Sequence, residues 1–247
     1  MDCENKTMRS VVLIPSRLGS TRLPGKALLK IGEIPMIARV MMQAAKCPGL
    51  ADVFVCTDSK EIAAVVGEYG GKYIMTSEHH QNGTTRIAEA KSNLPKYDLY
   101  IDVQGDEPFI NPMHISAVIE CHQKYQPDIV LPLLPFFESK PSNVKVVTDL
   151  TGRALYLSRA DIPFQFNTKS GYSKHLSIIS FSPSALDKYA AMPMSPLESI
   201  EGIELLRAIE NGMYIQTTKL IGDSFSIDTI EDYERALIEV SNRTDVN

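Results

Sequence analysis

The chain has no surplus of positive charge. It carries 25 Lys and Arg against 30 Asp and Glu, for a formal net charge of −5. A broad electrostatic attraction to nucleic acid or to an anionic membrane is thereby excluded, and any anionic ligand must be held by a local cluster of donors. No run approaches the roughly 18 apolar residues of a membrane span. The first ten residues, MDCENKTMRS, lack the apolar stretch of a signal peptide, so the expected location is the cytoplasm. Cysteine is sparse: Cys3, Cys47, Cys56 and Cys121 form no CxxC pair and have no His at zinc-ligand spacing. Reduced, mostly buried thiols are expected. His79 and His80 are adjacent in the polar loop TSEHHQNGTT, where neighbouring side chains seldom converge on one ion, and they read as plain loop residues. There is no internal repeat, low-complexity tract or long linker.

What is present is ordinary for a globular fold: 44% apolar and 22% charged residues over 247 positions, enough to bury a core without staples. VVLIP (11–15) reads as a strand buried on both faces. A helix over about 35–46 follows a polar loop. DVFVCT (52–57), KYIMT (72–76), DLYIDV (98–103) and DIVLPL (128–133) read as strands. Between them the periodicity predicts helices over about 60–69, 85–93 and 112–125. Strands alternating with helices in this way predict a mostly parallel, doubly wound α/β sheet. The second half differs. NVKVVTDLTGRALYLSR (143–159) reads as two strands split by a turn, and KHLSIISF (174–181) as another. Helices over about 183–190 and 196–211, a strand YIQTTKL (214–220) and a helix over about 230–242 complete the chain. The expectation is one domain over 1–247 with an antiparallel insertion.

The loop after the first strand, SRLGSTRLPGK (16–26), lies where an α/β sheet usually binds ligands, beyond the strand's carboxyl end. Gly19 and Gly25 permit unusual backbone angles, Ser20 and Thr21 add hydroxyls, and Arg17, Arg22 and Lys26 supply three positive charges. Phosphate groups need this combination of close donors and charge neutralisation. The loop is neither a Walker A motif nor GxGxxG.

IPSRLGSTRLPGK closely resembles the nucleotide-binding loop of the CMP-sugar synthetases, in particular the branch that activates 3-deoxy-manno-octulosonate. The likeness continues in order through GTTRIAEA (83–90), VQGDEPFI (103–110), NVKVV (143–147), ALYLSRADIP (154–163), SPLESIE (195–201) and SIDTIEDYERA (226–236), nearly the whole chain. It implies a nucleotide-diphospho-sugar transferase-like fold and cytidylyl transfer. The anomeric hydroxyl of an acidic keto-sugar attacks the α-phosphorus of CTP, pyrophosphate leaves, and the product serves bacterial surface polysaccharide synthesis. No residue nucleophile is needed, and no general base stands out.

Asp106, at the end of a strand in QGDEP, is placed to hold a hard cation, though such a residue is also a common turn former. Asp228 in SIDT precedes a helix and has an N-cap as its plain role. The resemblance implies that the two together bind Mg²⁺ and, with Lys26, carry catalysis. It further implies that Arg17, Ser20, Arg22 and Lys26 handle the triphosphate. Gln104 and Arg86 would border cytosine and nucleotide. The family usually carries an acidic residue where this chain has Thr85. Glu89 reads as a helix-surface carboxylate.

On the sugar side the resemblance assigns Arg159, His175 and Glu204. Departures cluster there: Phe164-Gln165-Phe166 replaces a Trp-Asp-Arg run, Ile179 an aromatic hydroxyl, and Leu205 a glutamine. A changed sugar, or a changed way of holding it, is expected. The resemblance also implies a homodimer with the segment from about 143 to 181 at the interface. The alternatives are CMP activation of another nonulosonic acid and a nucleotide-binding protein lacking this transfer activity.

Overall fold

A computed structural model describes residues 8–20, 22–138 and 140–244; the expectations for Cys3 and Thr21 lie outside them. In chain order the elements are β1 (Ser10–Ser16), a 3-10 turn (Lys26–Leu28), β2 (Lys30–Ile31), β3 (Ile34–Pro35), α1 (Met36–Ala44), β4 (Asp52–Thr57), α2 (Lys60–Glu68) and β5 (Lys72–Met75). Next come α3 (Gly83–Ser92), β6 (Leu99–Val103), α4 (Pro112–Tyr125), β7 (Ile129–Phe136), β8 (Lys145–Thr148) and β9 (Ala154–Ser158). The chain closes with β10 (Tyr172–His175), β11 (Ile178–Phe181), α5 (Pro183–Ala191), α6 (Pro196–Glu201), α7 (Leu205–Glu210), β12 (Ile215–Lys219) and α8 (Ile230–Thr244).

β1 is buried along its whole length because it is paired in parallel on both edges, with β4 and with β6, and covered on both faces. Its alternating side chains divide between two cores. Val11 and Leu13 pack with Ile87 of α3 and Leu186 of α5; Val12 and Ile14 pack with Ile37 of α1, Ile62 of α2 and Val118 of α4. A strand so enclosed reads as an apolar run without alternation. Helices α2, α3, α4 and α5 start on side-chain caps from Ser59, Asn82, Asn111 and Ser182, each accepting from a backbone N–H of the first turn.

The main sheet runs β5-β4-β1-β6-β11-β7-β10-β8-β9, with β12 on β7. The first four strands are mutually parallel. Beyond β6 the neighbours turn antiparallel, and β12 returns parallel to β7. The expected α/β sheet with its parallel centre is present, and the antiparallel part makes up its other half.

Two expected elements are divided. The helix over 196–211 breaks into α6 and α7 at Gly202, whose left-handed φ of 62° ends α6. The strand over 174–181 breaks into β10 and β11 by a tight turn in which Ile178 N–H donates to the Leu176 carbonyl at 2.8 Å. The small β2–β3 hairpin is an addition. Among the described residues no helix is long and apolar enough to cross a membrane. Cys47, Cys56 and Cys121 are free and buried, and burial pushes the Cys56 thiol far up.

Two glycines at the end of α2 give opposite expectations. A Cβ at Gly67 meets nothing within 4 Å, so Gly67→Ala should stabilise by about 0.5–1 kcal/mol through helix propensity. A Cβ at Gly71 collides with Met41 Sδ and stands 2.9 Å from Val66 Cγ1. Gly71→Ala should therefore cost about 1–3 kcal/mol, and urea unfolding of the two variants measures both.

Candidate active site

The loop after β1 and the turn after β6 leave the sheet at neighbouring carboxyl ends, and between them lies a cavity of about 330 Å³. It is lined by Arg17, Ser20, Arg22, Lys26, Arg86, Gln104, Asp106 and Asp228, which brings every nucleotide-side and metal-side candidate to one place. Gly25 takes a left-handed φ of 65° and turns the loop into the 3-10 turn that carries Lys26; Gly19 keeps a negative φ, so the freedom expected of it is not used. Ser20 Oγ accepts from Leu23 N–H at 3.3 Å. Arg86 is buried and pinned, donating to Thr76 Oγ1 at 2.6 Å, Ser77 O at 3.2 Å and Asp58 Oδ2 at 3.0 Å.

The Lys26 ammonium donates to Asp106 Oδ2 at 2.7 Å, Asp228 Oδ1 at 3.0 Å and the Ile227 carbonyl at 3.1 Å. Arg22 Nη2 adds a second cation 3.0 Å from Asp228 Oδ1. The two carboxylates, 122 residues apart in sequence, are brought together by Ile227 N–H donating to the Asp106 carbonyl at 2.9 Å. Ser224 Oγ donates to Glu107 Oε2 at 2.6 Å and ties the same two segments. Burial raises the Asp106 carboxyl above its ordinary range, partly offset by Lys26. Burial alone would lower Lys26, but its two carboxylates outweigh it and the ammonium is held above its usual value. The N-cap role open to Asp228 is filled next door, where Thr229 Oγ1 accepts from Asp232 N–H at 3.3 Å.

A second cavity of about 300 Å³ abuts the first, sharing Asn82 and Gly83. Arg159, His175 and Glu204 line it, as do Ile179 and Leu205. Arg159 is fixed by donations to the carbonyls of Glu201, Pro141 and Gly202 at 2.9, 3.1 and 3.2 Å. Buried Lys145 supports it, donating to the Arg159 carbonyl at 2.8 Å. Burial, with Arg159 and Lys174 nearby, pushes the His175 imidazole down to about 4, and its buried Nδ1 has no partner. Glu204 lies in the turn between α6 and α7; it accepts from Thr84 Oγ1 at 3.1 Å and is raised by burial. Phe166 differs from expectation: it is 85% exposed and does not line this cavity, because the loop after Pro163 carries it outward.

Several residues escaped the sequence reading. His80 is not a plain loop residue: it lines the nucleotide-side cavity and pairs through Nε2 with Glu89. Glu89 is correspondingly more than a surface carboxylate, since both its oxygens also accept from Ser77 N–H at 3.1 and 3.2 Å. Asp102, in the middle of β6, is fully buried, and the charges acting on it, Glu204 and Asp106, are both negative. Burial and those charges raise its carboxyl well above the usual range. The visible signal was a lone carboxylate inside the apolar strand LYIDV. Among the described residues no group of three His, Cys, Asp or Glu is poised to hold a metal.

Comparison with known proteins agrees with this arrangement. The chain is 41% identical over 237 residues to the 3-deoxy-manno-octulosonate cytidylyltransferase of Pelodictyon phaeoclathratiforme, covering 92% of this chain and 96% of that protein. It is 38% identical over 237 residues to the 8-amino-3,8-dideoxy-manno-octulosonate cytidylyltransferase of Shewanella sp. strain ANA-3, covering 92% and 97%. A solved structure of CMP:2-keto-3-deoxy-manno-octonic acid synthetase complexed with CTP matches with a TM-score of 0.91 at 34% identity, covering 95% of this chain and 99% of that one. The cytidylyltransferase family model spans residues 11–219, from β1 to the end of β12, which takes in the described lining of both cavities except Asp228, and the chain belongs to that family.

Proposed function

We propose that the protein transfers CMP from CTP to the anomeric hydroxyl of 3-deoxy-manno-octulosonate or of its 8-amino-3,8-dideoxy relative, releasing pyrophosphate. The observation that carries this reading is the contact of the two cavities at Asn82 and Gly83, one lined by cations and the other by Arg159, His175 and Glu204. The substrate names are those of the relatives at 41% and 38% identity. In this reading Arg17, Ser20, Arg22 and Lys26 hold the triphosphate, Gln104 and Arg86 border the nucleotide, and Arg159 presents its remaining donors to the sugar's carboxylate. Neutral His175 and Glu204 take sugar hydroxyls. Catalysis then rests on proximity and on charge neutralisation as the phosphates redistribute charge. Pyrophosphate release from CTP, assayed across a panel of ulosonic acids, tests the reading. Nucleotide binding with no release for any acid would reject it.

We assign Asp106 and Asp228 to Mg²⁺. The donor set suits that ion: two hard carboxylates already converge on a single cation, the Lys26 ammonium, and Mg²⁺ is usually bound by one or two carboxylates with phosphates and water completing the shell. Bound there, Mg²⁺ supplies neutralisation of phosphate charge and a lowered pKa for a nearby hydroxyl. Asp106→Ala or Asp228→Ala should lower turnover at least ~100-fold. The double variant should lose little more, because the pair acts as one unit. Near-normal turnover in either single variant contradicts the assignment.

The sugar cavity supports a modified acid over octulosonate itself. Ile179 and Leu205, both buried, present apolar walls where a phenol and an amide would bond hydroxyls. Each missing neutral hydrogen bond is worth about 0.5–1.5 kcal/mol. Octulosonate should therefore show the higher Michaelis constant, and Leu205→Gln with Ile179→Tyr should shift preference toward it. If the unaltered protein uses octulosonate best across the panel, the specificity reading fails.

We further propose a cytoplasmic homodimer joined through the segment around 143–181. Phe164 and Phe166 in that segment are 83% and 85% exposed, and Phe137, which packs beside Gly171, is 77% exposed, apolar surface suited to a second copy. Sedimentation at micromolar concentration should give a dimer; a stable monomer rules it out.

A further inference from the structure

Arg159 stands just past β9, and charged groups hold both of its backbone polar atoms. Its N–H donates to Glu201 Oε2 at 3.0 Å, and its carbonyl accepts from the Lys145 ammonium at 2.8 Å. Glu201, the last residue of α6, grips the strand end a second time. Ser158 Oγ donates to its Oε1 at 2.6 Å and accepts in turn from Ala160 N–H at 3.0 Å. Both oxygens of one carboxylate are thus engaged by two consecutive residues. The Arg159 N–H, the Ser158 hydroxyl and the nearby guanidinium hold the Glu201 carboxyl below its usual range.

The same helix end holds the Arg159 side chain. The last carbonyls of a helix have no N–H partner within it, and those of Glu201 and Gly202 accept from Arg159 Nε and Nη2. The Pro141 carbonyl accepts from Nη1. A guanidinium has five N–H groups, so one is left on each terminal nitrogen. Such a pair of donors grips a carboxylate. Glu201 meets the guanidinium with its carbonyl and the backbone with its carboxylate. The reverse arrangement would set a resident carboxylate in competition with a ligand's own. Among the described residues that line the second cavity, Arg159 is the one cation, because burial keeps His175 neutral. An acid entering that cavity has this guanidinium as its counter-charge.

We propose that Glu201 is a positioning residue: by clamping Ser158 and Arg159 to the end of α6, it aims the two remaining Arg159 donors at the carboxylate of the acidic sugar. The inference rests on the sugar-acid reading above and adds the residue that sets the grip on the acid group. Glu201 lines neither cavity, so it acts through Arg159. Three residues on, Glu204 does line the second cavity, its own carbonyl accepting from Tyr189 Oη at 3.0 Å. The end of α6 and the turn after it therefore place both groups.

The test compares the preferred ulosonic acid with its carboxamide analogue, which has nearly the same shape and no charge. Two assays are used: pyrophosphate release with saturating CTP, and calorimetric binding in the presence of CMP, which has no pyrophosphate to release. The unaltered protein should favour the acid by at least ~10-fold, the scale of losing a charged hydrogen bond. Glu201→Ala should bring acid and carboxamide to within about 3-fold of each other, through KM and binding of the acid rather than through kcat or the KM for CTP. Glu201→Gln should restore most of the discrimination, since its oxygen still accepts from Arg159 N–H and its nitrogen can donate to Ser158 Oγ. Glu201→Asp keeps the charge but is a methylene too short to reach both donors, and it carries the alanine expectation if that variant does not fold. Arg159→Ala should match Glu201→Ala, and the double variant should add nothing further, as expected for a residue that acts through another. Equal losses for acid and carboxamide in the Glu201 variants, with the ratio unchanged, overturn the inference and leave cytidylyl transfer standing. Absence of pyrophosphate release from the unaltered protein overturns the transfer reading instead, and the calorimetric ratio still decides the role of Glu201.

Discussion

One ammonium joins three distant stretches of this chain. Lys26 reaches from the loop after β1 to Asp106 in the turn after β6 and to Ile227 and Asp228 ahead of α8, with all three of its N–H groups occupied. Hydrogen bonds to charged groups contribute about 1.5–3 kcal/mol each, more than neutral ones, and here they act across sequence separations of 80 to 202 residues. The backbone bond from Ile227 to Asp106 fixes the same approach. Without this closure the two carboxylates would lie on unconnected loops, and the cavity beside them would lose its acidic end.

The charges divide the site. On the nucleotide-side wall, Arg17 and the salt-bridged Arg22 stand on an exposed loop where water and salt screen them. The groups on the sugar-side wall are half-buried: burial holds His175 neutral and raises the Glu204 carboxyl, and Arg159 is tied to three carbonyls. Screened cations attract a polyanion from solution, whereas desolvated dipoles discriminate among hydroxyls. The two walls thus suit the two halves of a transfer between a triphosphate and a sugar.

The parallel strands were legible because burial on both faces leaves continuous apolar runs, as in β1, and because polar caps mark the helix starts, as at Ser59 and Asn111. The loop residues Arg17, Ser20, Arg22 and Lys26 were legible from charge and glycine content, and the meeting of Asp106 with Asp228 only through resemblance, since spacing says nothing of contacts across 122 residues. The division at Gly202 was missed because a glycine ends a helix only when the next segment packs elsewhere. His80 and Glu89 were missed for a related reason. A polar loop looks solvated in sequence, and only the fold shows that α3 presents Glu89 to it.

The junction of the two cavities depends on an absence. Asn82 caps α3 and Gly83 begins it, and a Cβ on Gly83 would stand 3.0 Å from Pro15 Cγ as well as against the Gln104 amide. Any side chain there would have to displace either the end of β1 or the amide, and both line the cavity. The attacking hydroxyl and the α-phosphorus must come within near-attack distance, on the order of 3–3.5 Å, so the wall between their subsites can be no thicker than a bare backbone. In the proposed transfer, the residue that carries no chemistry is therefore the one that lets the two cavities act on one phosphorus.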